Sequence, residues 1–155
     1  MTILKQIGRC VAIGSLLLIV EGFGVADAQL GVFVGPEGSS AQLYIKHDAK
    51  IDALAGEMEV VGPAVVQAFH KFGFGRAPVV TSGSEFASWR KSWSLHLKGR
   101  AIDVRGRDLP MASLKLIAEE LSEVLGDQFD VVLEDYGEYN PFTHLHIEYH
   151  PKKPV

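Results

Sequence analysis

Four side chains in the C-terminal part of the chain have types and spacing that could do chemistry. His96 and Asp103 stand seven positions apart in the string Ser94-Leu95-His96-Leu97-Lys98-Gly99-Arg100-Ala101-Ile102-Asp103, and His144 and His146 flank Leu145 further on. Alternation along a strand puts the two late imidazoles on one face, about 6 to 7 Å apart. Such a pair can offer one metal ligand and one neighbouring acid–base group. Three protein ligands with one position left for water or substrate is the usual catalytic zinc arrangement. His96, Asp103 and one of the late histidines would provide it. Two neutral imidazoles and one carboxylate leave residual positive charge at the metal, which lowers the pKa of water there toward about 7 and polarises a substrate carbonyl.

Singly, each residue is a weak signal, because a lone histidine on a strand is more often packed or exposed than a ligand. Asp103 says more. It lies between Ile102 and Val104, and burying a carboxylate in an apolar strand is costly unless a cation or good hydrogen bonds satisfy it. The single cysteine, Cys10, excludes an intramolecular disulfide and a Cys-rich zinc finger, so a metal site here has to be built from His, Asp and Glu. His47, His70 and His150 fit no such pattern and are expected at the surface.

The elements that must position these groups follow from periodicity. Residues 29–48 read as a loop-rich start with a short strand at Leu43-Tyr44-Ile45. From Ala49 to Phe72 apolar residues recur at intervals of three and four, which predicts a helix bent or divided at Gly62-Pro63. Pro78–Thr81 and Ala101–Val104 are short apolar runs and read as strands. Pro110–Leu125 is the clearest helix, with Leu114, Ile117, Leu121 and Leu125 as its stripe and Gly126 as its stop. Phe129–Leu133 and Leu145–Tyr149 read as strands. Two helices and about four strands, not in strict alternation, predict a single α+β domain. With 155 residues, 47% hydrophobic and 22% charged, the chain is long enough for one such core. A formal net charge of -4 supplies no positive field for a nucleic-acid backbone, so DNA and RNA are poor candidate partners.

The first residues look like an address. Lys5 and Arg9 precede an apolar run, Val11–Val20, and the small-x-small triplet Ala26-Asp27-Ala28 follows. This tripartite pattern predicts a signal peptide over 1–28, cleaved after Ala28, and a secreted or periplasmic domain over 29–155 with no stable membrane insertion. The apolar run falls short of the about 20 residues a spanning helix needs. Glu21 is awkward for a signal and keeps an uncleaved anchor facing the cell wall as one alternative, with a buried N-terminal helix or strand of the domain itself as the other.

The string S-x-H-x-x-G-x-A-x-D, followed later by H-x-H, resembles the zinc D-alanyl-D-alanine carboxypeptidase family. Relatives of that family include the vancomycin-resistance D,D-peptidases, phage endolysins and the hedgehog signalling domain. The similarity covers Thr81-Ser82-Gly83, Ser94–Arg105 and Phe129–Tyr149, in family order. It implies one zinc ion on His96, Asp103 and His146, an antiparallel sheet flanked by helices, and peptidoglycan peptides as substrate, cut next to a D-amino acid by a monomer. Gly99 and Ala101 become the small residues that let the chain turn between two ligands. Ser94 becomes a candidate substrate-binding group, with a turn serine as its plain alternative.

The departures from the pattern matter as much. Many members carry Ser-Gly-Tyr-Arg after the first strand, and here the stretch is Ser82-Gly83-Ser84-Glu85. Arg90, Arg100 or Arg105 could take the place of that arginine, Arg90 first because its loop leads into the ligand string. Some members place a glutamate three residues before the last ligand as general base; that position is Thr143. The base is therefore assigned to His144, the first histidine of H-x-H, with Glu134 as second candidate. The segment Glu134–Thr143 reads as a cleft wall bearing Tyr136 or Tyr139, or as a surface hairpin with its aromatics packed down. Trp89 and Trp93, four apart, are expected to pack in the core, with lining a groove for a glycan as the alternative. Two other functions compete with the peptidase: a zinc-containing binding module without turnover, and a metal-free structural protein of a phage particle or cell envelope.

Overall fold

The computed structural model describes residues 27–34, 40–88 and 90–151. The predicted leader lies outside the described residues except for Asp27 and Ala28, as do Trp89 and the tail at 152–155. The elements run β1 (Ala28–Val34), β2 (Ser40–Lys46), a 3-10 turn (Gly56–Val60), α1 (Val61–Phe72) and β3 (Val79–Ser82). A second 3-10 turn (His96–Lys98), β4 (Ala101–Arg105), α2 (Met111–Leu125), β5 (Phe129–Glu134) and β6 (His144–Tyr149) follow.

The six strands form one sheet in the order β1-β2-β3-β4-β6-β5. Every neighbouring pair is antiparallel except β2 with β3. The fold is the α+β class expected. Its core is built by alternation: Ile102 and Val104 of β4 and Leu145 and Ile147 of β6 are fully buried, and they join one apolar cluster with Val61, Val65 and Phe69 of α1 and Leu114, Ile117 and Leu121 of α2. The intervening residues of β4 and β6 point to the opposite face, and all the candidate chemistry on these strands is there.

Two expectations need correction. The helix predicted from Ala49 begins only at Val61. Pro63 explains the start: in the first turn its missing N–H has no intrahelical partner to lose, whereas deeper in a helix it would break a bond. Residues 49–55 instead run as irregular chain, joined to the ligand turn by the Ala55 N–H bond to the Gly99 carbonyl at 2.8 Å. Ile51 and Leu54 pack against the core from there, which imitates helical spacing. The loop-rich start is in fact a hairpin of two seven-residue strands. Ala41, Leu43 and Ile45 alternate into the core, a period masked in sequence by the glycines around it.

β1 starts at Ala28, so the predicted cleavage point falls between the first two residues of a paired strand, and the Asp27 carbonyl accepts a hydrogen bond from His47 N–H at 3.1 Å. Among the described residues no helix is long and apolar enough to cross a membrane.

Candidate metal centre

The register of three strands builds the site. Asp103 of β4 lies opposite His146 of β6, Arg105 opposite His144, and Ala101 opposite Glu148. On the far side of β6, Glu134 of β5 pairs with His144 and Asp130 with Glu148. Period-two alternation therefore delivers Asp103, Arg105, Glu134, His144, His146 and Glu148 to one face. His96 comes from outside the sheet, on the short 3-10 turn just before β4. Its ring and that of His146 are 5.0 Å apart between centroids. His96, Asp103 and His146 form a candidate metal-binding group, with one donor atom from each lying within 4.8 Å of the others.

Two glycines let His96 reach this position. Gly99 closes the turn in the left-handed region at φ 67°, and a Cβ there would stand 2.2 Å from the Ala53 carbonyl oxygen. Gly83 approaches Lys50 so closely that its Cβ would meet the Lys50 carbonyl oxygen at 2.1 Å. The carbonyl of Gly83 in turn accepts a hydrogen bond from His96 Nδ1 at 2.9 Å. A carbonyl can only accept, so the proton sits on Nδ1 and Nε2 is left as the donor atom, 3.3 Å from Asp103 Oδ1. Fixing the tautomer through the other ring nitrogen is the usual outer-shell device of metal sites.

His146 is prepared in the opposite sense. Its Nε2 lies 2.9 Å from a Glu148 oxygen and its Nδ1 lies 2.7 Å from Asp103 Oδ1. Burial works against a charged ring, but the hydrogen bonds to Asp103 and Glu148 outweigh it and raise the His146 pKa to about 9. Burial likewise opposes charge on Asp103, yet the hydrogen bond from His146, with the imidazoles of His96 and His144 close by, holds its carboxyl well below the usual range. Protons thus bind Asp103 to its neighbours where a cation could do so. The donor set (two imidazoles and a carboxylate, each backed by a second partner or a charge) fits a divalent metal.

His144 and Glu134 are brought to the same place. His144 Nδ1 donates to the Phe142 carbonyl at 2.7 Å, which leaves Nε2 as the basic nitrogen. That Nε2 lies 3.4 Å from a Glu134 oxygen and 3.7 Å from Asp103 Oδ1. The Tyr136 ring stacks on the His144 ring at 6.5 Å and 15°, and its hydroxyl donates to Glu134 at 3.3 Å. Thr143 is fully buried and engaged elsewhere: its hydroxyl donates to the Gly137 carbonyl at 2.8 Å and accepts from Tyr136 N–H at 3.1 Å. It staples the 135–143 loop.

The site opens into a cleft of about 1070 Å³, whose lining includes His96, His144, Ser94, Arg90, Phe86 and Trp93. Ser94 lies in a turn closed by its own N–H on the Lys91 carbonyl at 2.9 Å. Arg90 folds back on β3, where it donates to Ser82 Oγ and, at 3.0 Å, to Glu85. Glu85 also receives the Gly83 N–H at 2.7 Å and the Lys50 N–H at 3.1 Å. Arg100, by contrast, packs its guanidinium over Tyr149. Trp93 is 73% exposed and lines the cleft rather than the core, while Tyr136 and Phe142 are exposed along the same cleft, in line with the cleft-wall reading of their segment.

Sequence reasoning missed Glu148 and the Gly83 carbonyl. Glu148 was legible in principle, as the next same-face residue after His144 and His146; a backbone carbonyl carries no signature. Glu148 also reaches His150 Nε2 at 2.7 Å, and with Asp130 these make a second, more exposed group of potential ligands. His47, His70 and His150 are at the surface as expected. Comparison with protein-family models, curated proteins and solved structures returns no match.

Proposed function

We propose that this chain is an exported zinc metallopeptidase acting on peptidoglycan peptides, at a bond next to a D-amino acid. One observation carries the reading: the donor atoms of His96, Asp103 and His146 converge within 4.8 Å in an open cleft, with the basic nitrogen of His144 beside them. The order and spacing of these residues, and their resemblance to the zinc D-alanyl-D-alanine carboxypeptidases, supply the substrate class.

His96 Nε2, Asp103 and His146 Nδ1 would hold the zinc. When bound, zinc supplies a Lewis acid that polarises the scissile carbonyl and makes water more acidic. The chain's own part is proton handling and orientation. His144 Nε2 accepts a proton from the attacking water as the C–O bond forms, and returns it to the leaving amine as the C–N bond breaks. Phe142 and Tyr136 keep that ring in place, and Glu134 stabilises its charged form. Ser94 and Arg90 line the approach for the substrate backbone.

The binding-module alternative draws on Glu85, which stands where the resemblance expects an arginine. Arg90 weakens that objection, because its guanidinium reaches Ser82 and Glu85 at the end of β3. The test is to incubate the zinc-loaded protein with purified peptidoglycan, with and without a chelator, and to weigh the products. Loss of a terminal D-alanine, or a cut within the stem or cross-bridge, is expected, abolished by chelation and restored by zinc. Folded, zinc-loaded protein that releases nothing from several wall chemistries would reject the peptidase and favour the binding module.

A further inference from the structure

Arg105 has no role in the mechanism above, yet it shares the cleft face of β4 with Asp103. Two positions along a strand is about 6 to 7 Å. Its side chain is 4% exposed, so the guanidinium is fixed in the cleft wall, and a buried cation is costly without an anion beside it. Asp27 is a direct partner, with both oxygens 2.9 Å from Arg105 Nη2, and Asp108 stands further off at 3.9 Å. Asp27 precedes β1, its side chain is 44% exposed, and it lines the same cleft as the candidate metal ligands. It is also the middle residue of Ala26-Asp27-Ala28.

We propose that Asp27 is an internal competitor for the substrate: its carboxylate occupies, at Arg105, the place of a carboxylate on the peptide to be cut. The spacing suits a peptide whose carboxylate lies one residue beyond the bond held at Asp103. Because Asp27 is on the departing side of the predicted cleavage after Ala28, the unprocessed chain is self-blocked, and export removes the block. The inference rests on the peptidase reading for its substrate and on the leader reading for its release.

The test uses the full chain, metal-free so that nothing is turned over, titrated with N-acetyl-D-alanyl-D-alanine and with its C-terminal amide by NMR. Asp27→Asn is expected to tighten binding of the acid about tenfold and to leave the amide unchanged. Adding Arg105→Gln to Asp27→Asn should erase the gain. Arg105→Lys, which keeps the charge but loses the planar fork, should erase most of it and guards against misfolding of the glutamine variant. An Asp27→Asn chain that binds the acid no better, or gains equally for acid and amide, overturns the proposal. Zinc-loaded chains given the same peptides separate the two readings. An acid-specific gain in binding without turnover by any chain would leave the internal competitor standing and sink the peptidase. Turnover that is equal in Asp27→Asn and parent would do the reverse.

Discussion

Asp103 and His146 face each other across β4 and β6, with His146 Nδ1 2.7 Å from Asp103 Oδ1 and His96 Nε2 3.3 Å from the same oxygen. One carboxylate oxygen therefore serves two imidazoles from different elements. Each imidazole is held from behind, by the Gly83 carbonyl or by Glu148. An incidental pair of surface histidines has no need of such backing.

The first expected outcome is metal content. The purified chain should carry close to one zinc per molecule by elemental mass spectrometry. His96→Ala and Asp103→Asn should each lower affinity by at least about 100-fold, beyond the usual loss for an outer partner. An unchanged zinc load in His96→Ala would reject the ligand assignment.

Proton linkage gives a second outcome, in the metal-free chain. His146 is raised to about 9, so its contribution to stability is complete below the unfolded value of about 6.5 and is lost as pH rises through 9. Asp103 is lowered, so its contribution is present above about 3.9 and is lost as pH falls further. Urea midpoints in chelator should accordingly decline between pH 6 and pH 9. Zinc must displace the His146 proton, so titration calorimetry at pH 7 in two buffers should register proton release on binding. A metal-free midpoint that climbs between pH 6 and 9 would contradict the His146–Asp103 pair.

Much of this site is legible in the sequence. His96, Asp103, His144 and His146 stood out because a strand's period of two makes x-H-x-H and an isolated acid in an apolar run informative. Helical spacing of three and four placed α2, whose stripe and stops agree. What failed was local chain held by tertiary contact. Residues 49–55 show helical spacing but serve as a bed beneath Gly99, and Trp93 is hydrophobic in type yet exposed at the cleft. Neither fact has a local signature, since each depends on what the distant chain leaves uncovered.

Replacement of His144 by alanine separates ligand from base. The ring lies beyond the three-ligand group, so His144→Ala should keep its zinc while turnover of a peptidoglycan peptide falls about 10²- to 10⁴-fold. Glu134→Gln should cost less, because Glu134 acts through the charge on His144. Paired measurements of zinc content and kcat decide the matter: loss of metal in His144→Ala would make it a ligand, and full turnover would remove it as base.

Backbone geometry makes Gly99 sensitive. Gly99→Ala places a Cβ 2.2 Å from the Ala53 carbonyl at φ 67°, a conformation that costs a non-glycine residue about 1 kcal/mol before any clash. Destabilisation of roughly 2 kcal/mol or more is expected in urea unfolding, accompanied by weaker zinc binding, because this turn sets His96. Parent-like stability would mean that the turn can open without cost.

Glu148 is the residue whose role the sequence did not announce, and its test is the most discriminating. Its carboxylate takes His146 Nε2 at 2.9 Å with one oxygen and His150 Nε2 at 2.7 Å with the other. It touches neither a metal nor a reacting atom, so it is a positioning residue acting through His146. Glu148→Gln keeps the shape but replaces the anion that holds the ring and raises its basicity. Zinc affinity should fall about 10- to 100-fold, and the pH at which metal-free stability declines should move below 9, since one of the two hydrogen bonds that raise His146 is weakened. His150→Ala leaves the His146 contact intact and should change either property far less. A purely structural Glu148 would lower the urea midpoint without moving that pH or the zinc affinity.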